Sequence, residues 1–270
     1  MFIVKIEVQK KMKNRFNVYV DKGFGEEYAF SVGEDVLVKH RLRKGMELDE
    51  LDIEAILLDD QMKTAYNQAL TYLGYRMRTE KEVCDYLARK NIDERVMISV
   101  IEELKTNHYI DDQEFAKAFV RTHMKTALKG PNLIKRELEQ KGVARDVIED
   151  ALQLFSKEEQ IEKAYQLAEK QLRKKEKISL AQLGKKMEQM LLRKGFPYDV
   201  IEAVLEKLPM QDDGGMEWEA VVAQGEKGKR KYSHLKGLEL RTKVAQFLYR
   251  KGFSQDLIQQ YINQELEEIN

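Results

Sequence analysis

Basic residues gather in four tracts of this sequence: Arg76 and Arg78; Arg121, Lys125 and Lys129; Arg173, Lys174, Lys175 and Lys177; and Lys227, Lys229, Arg230, Lys231 and Lys236. Grouped guanidinium and ammonium groups bind anions, either nucleic-acid phosphates or carboxylates on a protein surface. Glu176 is the one acid interspersed among the fourteen. A single tract such as Arg173 to Lys177 reads as a solvated loop, and it is the recurrence in four tracts that argues for a surface. Tyr75 and Tyr232 lie beside the tracts, where tyrosines stack on bases or cover the edge of a core. Arg76 and Arg78 directly precede Thr79, and Thr79 with Glu82 has the spacing of a helix capping box, so the two arginines flank a helix start that suits an anion.

Other chemistry finds little support. The sequence contains no phosphate-binding glycine loop, dinucleotide fingerprint, nucleophile elbow, HExxH zinc pattern or calcium loop. The four histidines, His40, His108, His123 and His234, are scattered, and the single Cys84 on an amphipathic helix reads as a small buried hydrophobe. The expectation is a protein without catalysis, cofactor, metal or small-molecule substrate. Lys and Arg number 47 and Asp and Glu number 47, so any electrostatic field must come from segregation rather than net charge. Acids do concentrate elsewhere, at Glu102, Glu103, Glu149, Asp150, Glu202 and Glu206. With no apolar run of about 18 residues and no signal-peptide pattern, the expected place is the cytoplasm, away from membranes.

The elements that must hold the tracts are repeated. Four corners share one frame: Leu87 to Ile92, Leu138 to Val143, Leu191 to Phe196 and Leu248 to Phe253, each with a lysine followed by Gly or, once, Asn91. The lysines Lys90, Lys141, Lys194 and Lys251 stand 51, 53 and 57 residues apart. The lysine suits the negative end of a helix, and the residue after it must take the left-handed conformation that Gly and Asn tolerate. Asp93, Ser254 and Pro197 then stand where a following helix begins. With an earlier helix in each unit, the spacing predicts tandem three-helix repeats, about four of them, with the basic tracts in the linkers between first and second helices.

The first 32 residues differ. Val4, Ile6 and Val8, then Phe16, Val18 and Val20, then Tyr28, Phe30 and Val32 alternate with polar residues, which predicts three antiparallel strands. The expected fold is mainly α with a small N-terminal antiparallel β-containing head. Its predicted boundaries are 1–62 for the head and 63–110, 111–158, 159–208 and 209–270 for the units.

Several ordered motifs agree with one family. Arg76, Arg78, Thr79, Glu80 and Glu82, then Tyr109, Ile110, Asp111, Asp112, Phe115 and Ala116, then Lys129, Gly130, Pro131 and Ile134, and the corner Leu138 to Val143 resemble the core of the bacterial RecX regulatory proteins. The resemblance is strongest over residues 74 to 155, and the length and β-containing head are similar to the longer Gram-positive members. Thr79 stands where serine is common and Asn91 where glycine is common; both keep the capping logic. The resemblance implies a modulator of the RecA recombinase that binds the RecA filament on single-stranded DNA in its helical groove. There it would restrain filament growth, ATP hydrolysis, strand exchange and co-protease activity. The contrasting expectation is a backbone-type binder of single- or double-stranded DNA that affects RecA by competing for the strand. In either case the expected state is a monomer, and removing charge at the tracts, first at Arg76 and Arg78, is expected to weaken partner binding without unfolding the chain.

Overall fold

The computed structural model describes residues 1–126, 129–174, 176–209 and 215–266. Three antiparallel strands, β1 (Phe2–Val8), β2 (Arg15–Asp21) and β3 (Glu26–Gly33), pair in the order β1-β2-β3. Alternation puts Val18, Val20, Phe30 and Val32 on the buried face, as the sequence predicts. The first strand departs from expectation. A register irregularity between Ile3 and Lys5 puts Ile3 in the core, Val8 at the strand end is exposed, and a second irregularity at Val18 and Tyr19 leaves Tyr28 outside.

A short helix α1 (Glu34–Lys39) and a long helix α2 (Glu50–Leu73) cover this face, with Val36, Leu42, Leu48 and Ile56 completing the core. Asp49 caps α2 in a reciprocal box with Asp52. Asp60, 8% exposed, accepts from Arg15 and from the Gly33 N–H, both at 2.7 Å, and so fixes the helix to the sheet through a partly buried ion pair. At about 1.5 Å per residue α2 is about 36 Å long. It runs unbroken through the expected boundary at residue 62, so one helix covers the head and serves as the first helix of the first unit.

The rest is helical. The first unit continues with α3 (Glu80–Arg89) and α4 (Glu94–Thr106); the second has α5 (Asp112–Thr126), α6 (Pro131–Gln140) and α7 (Arg145–Leu152). The third has α8 (Lys157–Leu172), α9 (Leu180–Arg193) and α10 (Tyr198–Lys207), and the fourth has α11 (Met216–Lys231), α12 (Gly237–Arg250) and α13 (Gln255–Leu266). Each second helix ends in the expected corner. Asn91, Gly142, Gly195 and Gly252 have φ of 57°, 82°, 86° and 80°, and the N–H of the next residue returns to the carbonyl of Leu87, Leu138, Leu191 or Leu248. These four leucines are fully buried, and truncating any of them to Ala costs about 2–5 kcal/mol.

The chain divides into two compact bodies. One comprises Met1–Ala116 with Leu138–Ile148, and the other Lys117–Glu137 with the described part of Glu149–Asn270. No described helix is long and apolar enough to cross a membrane.

Candidate partner-binding surface

The second helices are joined end to start, and these joints position the basic residues. In the N-terminal body the end of α6 meets the start of α3: Thr79 Oγ1 donates to the Lys141 carbonyl at 2.7 Å while accepting from the Glu82 N–H at 3.2 Å. In the C-terminal body the end of α9 meets the start of α6, where the Gly130 N–H donates to the Lys194 carbonyl at 2.7 Å and the Asn132 N–H to the Gly195 carbonyl at 3.0 Å. The end of α12 likewise meets the start of α9, with Ser179 Oγ donating to the Lys251 carbonyl at 2.5 Å. Each joint sets the negative end of one helix on the positive end of another and satisfies carbonyls that a helix terminus otherwise leaves orphaned.

Around the first joint two of the cations, Arg76 and Lys141, are compensated by Glu82. Arg76 holds Glu82 through two nitrogens, Nη1 to Oε2 at 3.1 Å and Nη2 to Oε1 at 3.0 Å, and Lys141 Nζ reaches Oε1 at 2.9 Å. Burial opposes ionisation of Glu82, but the hydrogen bonds from Arg76, Lys141 and the Thr79 N–H outweigh it and pull the pKa down to about 2. Arg78 stacks its guanidinium 3.9 Å from the centroid of Tyr72, which stacks on Tyr86 at 4.1 Å, and its buried Nε has no hydrogen-bond partner among the described residues. The start of α3 is already occupied, because Asp112 Oδ1 accepts from the Glu80 N–H at 2.9 Å. Within the folded chain, the anion that this helix start suits is supplied by Asp112 itself.

The later tracts also lie differently than expected. Arg121 and Lys125 are within α5, Arg173 caps α8, and Lys227, Lys229, Arg230 and Lys231 occupy the last turns of α11. Only Arg76, Arg78, Lys129, Lys174, Lys177 and Lys236 of the described residues are in linkers proper, and Lys175 lies outside the described residues. The physical reason is the helix dipole, which favours cations in a last turn as well as beyond it. Gly225 and Gly228 in α11 make room for Tyr261 and Phe247 against the helix.

Several of these cations are committed. Lys129 Nζ lies 2.6 and 2.7 Å from the Glu137 carboxylate oxygens, Arg173 pairs with Glu169 at 3.1 Å, Lys174 donates to Gln171 at 2.9 Å and Lys229 pairs with Glu226 at 2.8 Å. Burial, and then the Lys129 charge, push the pKa of the neighbouring His123 down, so its imidazole favours the neutral form. Glu176 is taken by Lys186 and Gln171. By contrast Arg121, Lys125, Lys177, Lys227, Arg230 and Lys236 are exposed and have no ion-pair partner among the described residues.

The third joint gathers cations without compensation. Lys231 Nζ is 5.8 Å and Lys251 Nζ 5.6 Å from the centroid of Phe247, and Tyr232 meets the same ring edge-on at 6.5 Å. Neither lysine has a carboxylate partner among the described residues. Gln224 of α11 donates to the Lys177 carbonyl at 2.6 Å, which brings the α8–α9 linker to the same helix. Sequence reading placed Lys251 only as a helix cap. Its signal was the coincidence of a capping lysine with Phe247 one turn earlier.

Comparison with known proteins gives a consistent result over the whole length. Residues 1–49 match the regulatory protein RecX N-terminal domain, 65–104 the first three-helix domain of RecX, and 111–152 the second. Residues 158–205 and 216–262 both match the third three-helix domain, as expected of two related units. The chain is 45% identical over 266 residues to the regulatory protein RecX of Bacillus cytotoxicus, covering 98% of each chain. It is 46% identical over 263 residues to that of Bacillus licheniformis, covering 97% of this chain and 98% of the other. A crystal structure of regulatory protein RecX aligns with a TM-score of 0.65 and 40% identity over 76% of this chain and 99% of that one. RecX from Lactobacillus salivarius aligns with a TM-score of 0.55 and 38% identity over 57% of this chain and 99% of that one.

Proposed function

The chain belongs to the RecX family of regulatory proteins, and from that premise we propose that it is a negative regulator of the RecA recombinase, acting as a cytoplasmic monomer without catalysis of its own. It binds the RecA filament on single-stranded DNA, lodges in the filament groove, and restrains filament growth, ATP hydrolysis, strand exchange and co-protease activity. The contact surface is the uncompensated basic face of the C-terminal body. The observation that carries this reading is the pair Lys231 and Lys251 on Phe247: two ammonium groups held near one ring with no carboxylate partner among the described residues are better satisfied by an incoming carboxylate or phosphate than alone.

The same observation favours a second reading, direct binding to the DNA backbone with RecA affected by competition, because aromatic rings among cations also suit a single strand. One experiment separates the two. Binding is measured at fixed salt to single-stranded DNA alone and to the same DNA coated by RecA with a non-hydrolysable ATP analogue, with ATPase inhibition followed in parallel. Much tighter binding to the filament, with inhibition at ratios too low to titrate the DNA, is the expected result. Equal binding to both, falling about a thousandfold between about 50 and 200 mM salt, overturns the filament reading in favour of competition.

A further inference from the structure

On the opposite sign of charge, the N-terminal body carries a groove of about 710 Å³ between α2 and α4. It arises from a length mismatch. The first helix of this unit has 24 residues where α8 and α11 have 16, so its N-terminal half extends beyond the three-helix unit. The head covers one side of that half, where Ile56 and Asp60 are buried, and leaves the other side open.

The floor of the groove is apolar, formed by Ile53, Leu57, Leu58, Met62 and Val96. Leu58 is 47% exposed, and Leu51 and Ile98 nearby on the same helices are 74% and 52% exposed. The rim is acidic: Glu50, Glu54 and Asp93 line it with no ion-pair partner among the described residues, against one cation, Arg95. Glu50 and Glu54 stand at i and i+4, an arrangement in which like charges repel along a helix and which an incoming cation relieves. From Glu50 to Met62 the groove runs about 18 Å, the length of about three helical turns.

We infer that this groove is a docking site for a basic amphipathic helix of a partner protein, about three turns long, whose apolar stripe fills the floor and whose flanking Lys or Arg residues pair with Glu50, Glu54 and Asp93. The site is on the head and first unit and uses none of the lysines on which the RecA reading rests. Either can therefore fail without the other.

The test uses the full chain and a labelled peptide of about 14 residues with Leu at i, i+3, i+4 and i+7 and Lys on the flanks, set against the same Leu pattern flanked by Glu and against a scrambled Leu/Lys peptide. Fluorescence anisotropy should show saturable one-to-one binding of the Leu/Lys helix, at least about tenfold tighter than either control. Glu50→Lys with Glu54→Lys, both on the exposed face, should reverse the preference between the two helical peptides, and Leu58→Ala should weaken binding about three- to tenfold. Equal binding of the scrambled peptide, or binding indifferent to the charge reversal, overturns the proposal. So does sedimentation showing a dimer of the chain that Leu58→Ala dissociates, because the occupant is then a second copy.

Discussion

The joint at Thr79 and the joint at Ser179 are built alike and charged differently. In both, a buried hydroxyl at a helix start donates to the carbonyl of a capping lysine at another helix end. At the first, the lysine side chain turns back to Glu82, and Arg76 completes an ion-pair network. At the third, Lys251 has, among the described residues, the face of Phe247, shared with Lys231, and no carboxylate. Backbone geometry is thus what the repeat conserves within this chain, and side-chain charge is what it varies. Where the charge is compensated the joint serves stability, and where it is left over the joint is free to serve a partner.

Among changes that set the two joints apart, the largest effects should come from the left-handed glycines, which set how closely the helices approach. A Cβ on Gly195 would lie 2.5 Å from the backbone nitrogen of Leu133, which cannot yield, whereas one on Gly252 would lie 3.1 Å from Ser179 Oγ. Adding the strain of the left-handed conformation, Gly195→Ala should cost about 3 kcal/mol or more and Gly252→Ala about 1–2 kcal/mol. Urea unfolding together with amide exchange of α6 and α9 measures both, and equal losses would show that the joints tolerate side chains alike. Next in size are the hydroxyls. Thr79→Val and Ser179→Ala should each cost about 1–2 kcal/mol, through a lost cap and an unsatisfied carbonyl. Amide exchange should rise more at the end of α12 than at the end of α6, because Lys141 still holds Glu82 in the Thr79 variant.

These joints mark the limit of what the sequence made legible. The corners were readable because a positive φ leaves a residue signature, Gly or Asn after a lysine, and Thr79 and Asp93 were readable as helix starts. The strands were readable by alternation, except where two register irregularities moved Ile3 in and Tyr28 out. The pairing of helix ends left no signature, because Thr79 and Ser179 make it with a hydroxyl and Gly130 makes the same bond with its backbone N–H. The basic tracts were found, but their compensation was not: it depends on partners such as Glu82 with Lys141, 59 residues away, whose proximity only the fold creates.

Acid distinguishes the joints more gently. The pKa of Glu82 lies below its ordinary value of 4.5, so its ionised form favours the folded state. That contribution is complete above about pH 4.5 and is lost as the pH falls toward about 2. Glu82→Gln should flatten this part of the stability profile while lowering stability at neutral pH, because Arg76 and Lys141 lose their anion. Amide exchange at the start of α3 should rise across this window in the natural chain. The hydroxyl and carbonyl that form the Ser179 bond do not titrate there.

The smallest expected change in stability carries the sharpest test of the comparison. At the compensated joint, Arg76→Ala with Arg78→Ala removes the partner of a half-buried carboxylate and the guanidinium stacked on Tyr72, so it should cost about 1–2 kcal/mol. Sequence reading expected that pair to be removable without unfolding the chain, and the network around Glu82 sets the size of the loss within that bound. At the uncompensated joint, Lys231→Ala with Lys251→Ala removes two like charges that have no ion-pair partner among the described residues, so stability should stay within about 0.5 kcal/mol of the natural chain. Binding to RecA-coated DNA should nevertheless weaken, and where the lost contacts are to phosphate the slope of log affinity against log salt should fall by about two. If the arginine pair abolished binding with no loss of stability while the lysine pair unfolded the chain, the division of labour between the two joints would be inverted. A chain that lost neither stability nor binding in the lysine pair would move the contact surface to the remaining exposed cations, Lys227 and Arg230 first, because they share α11 with Lys231.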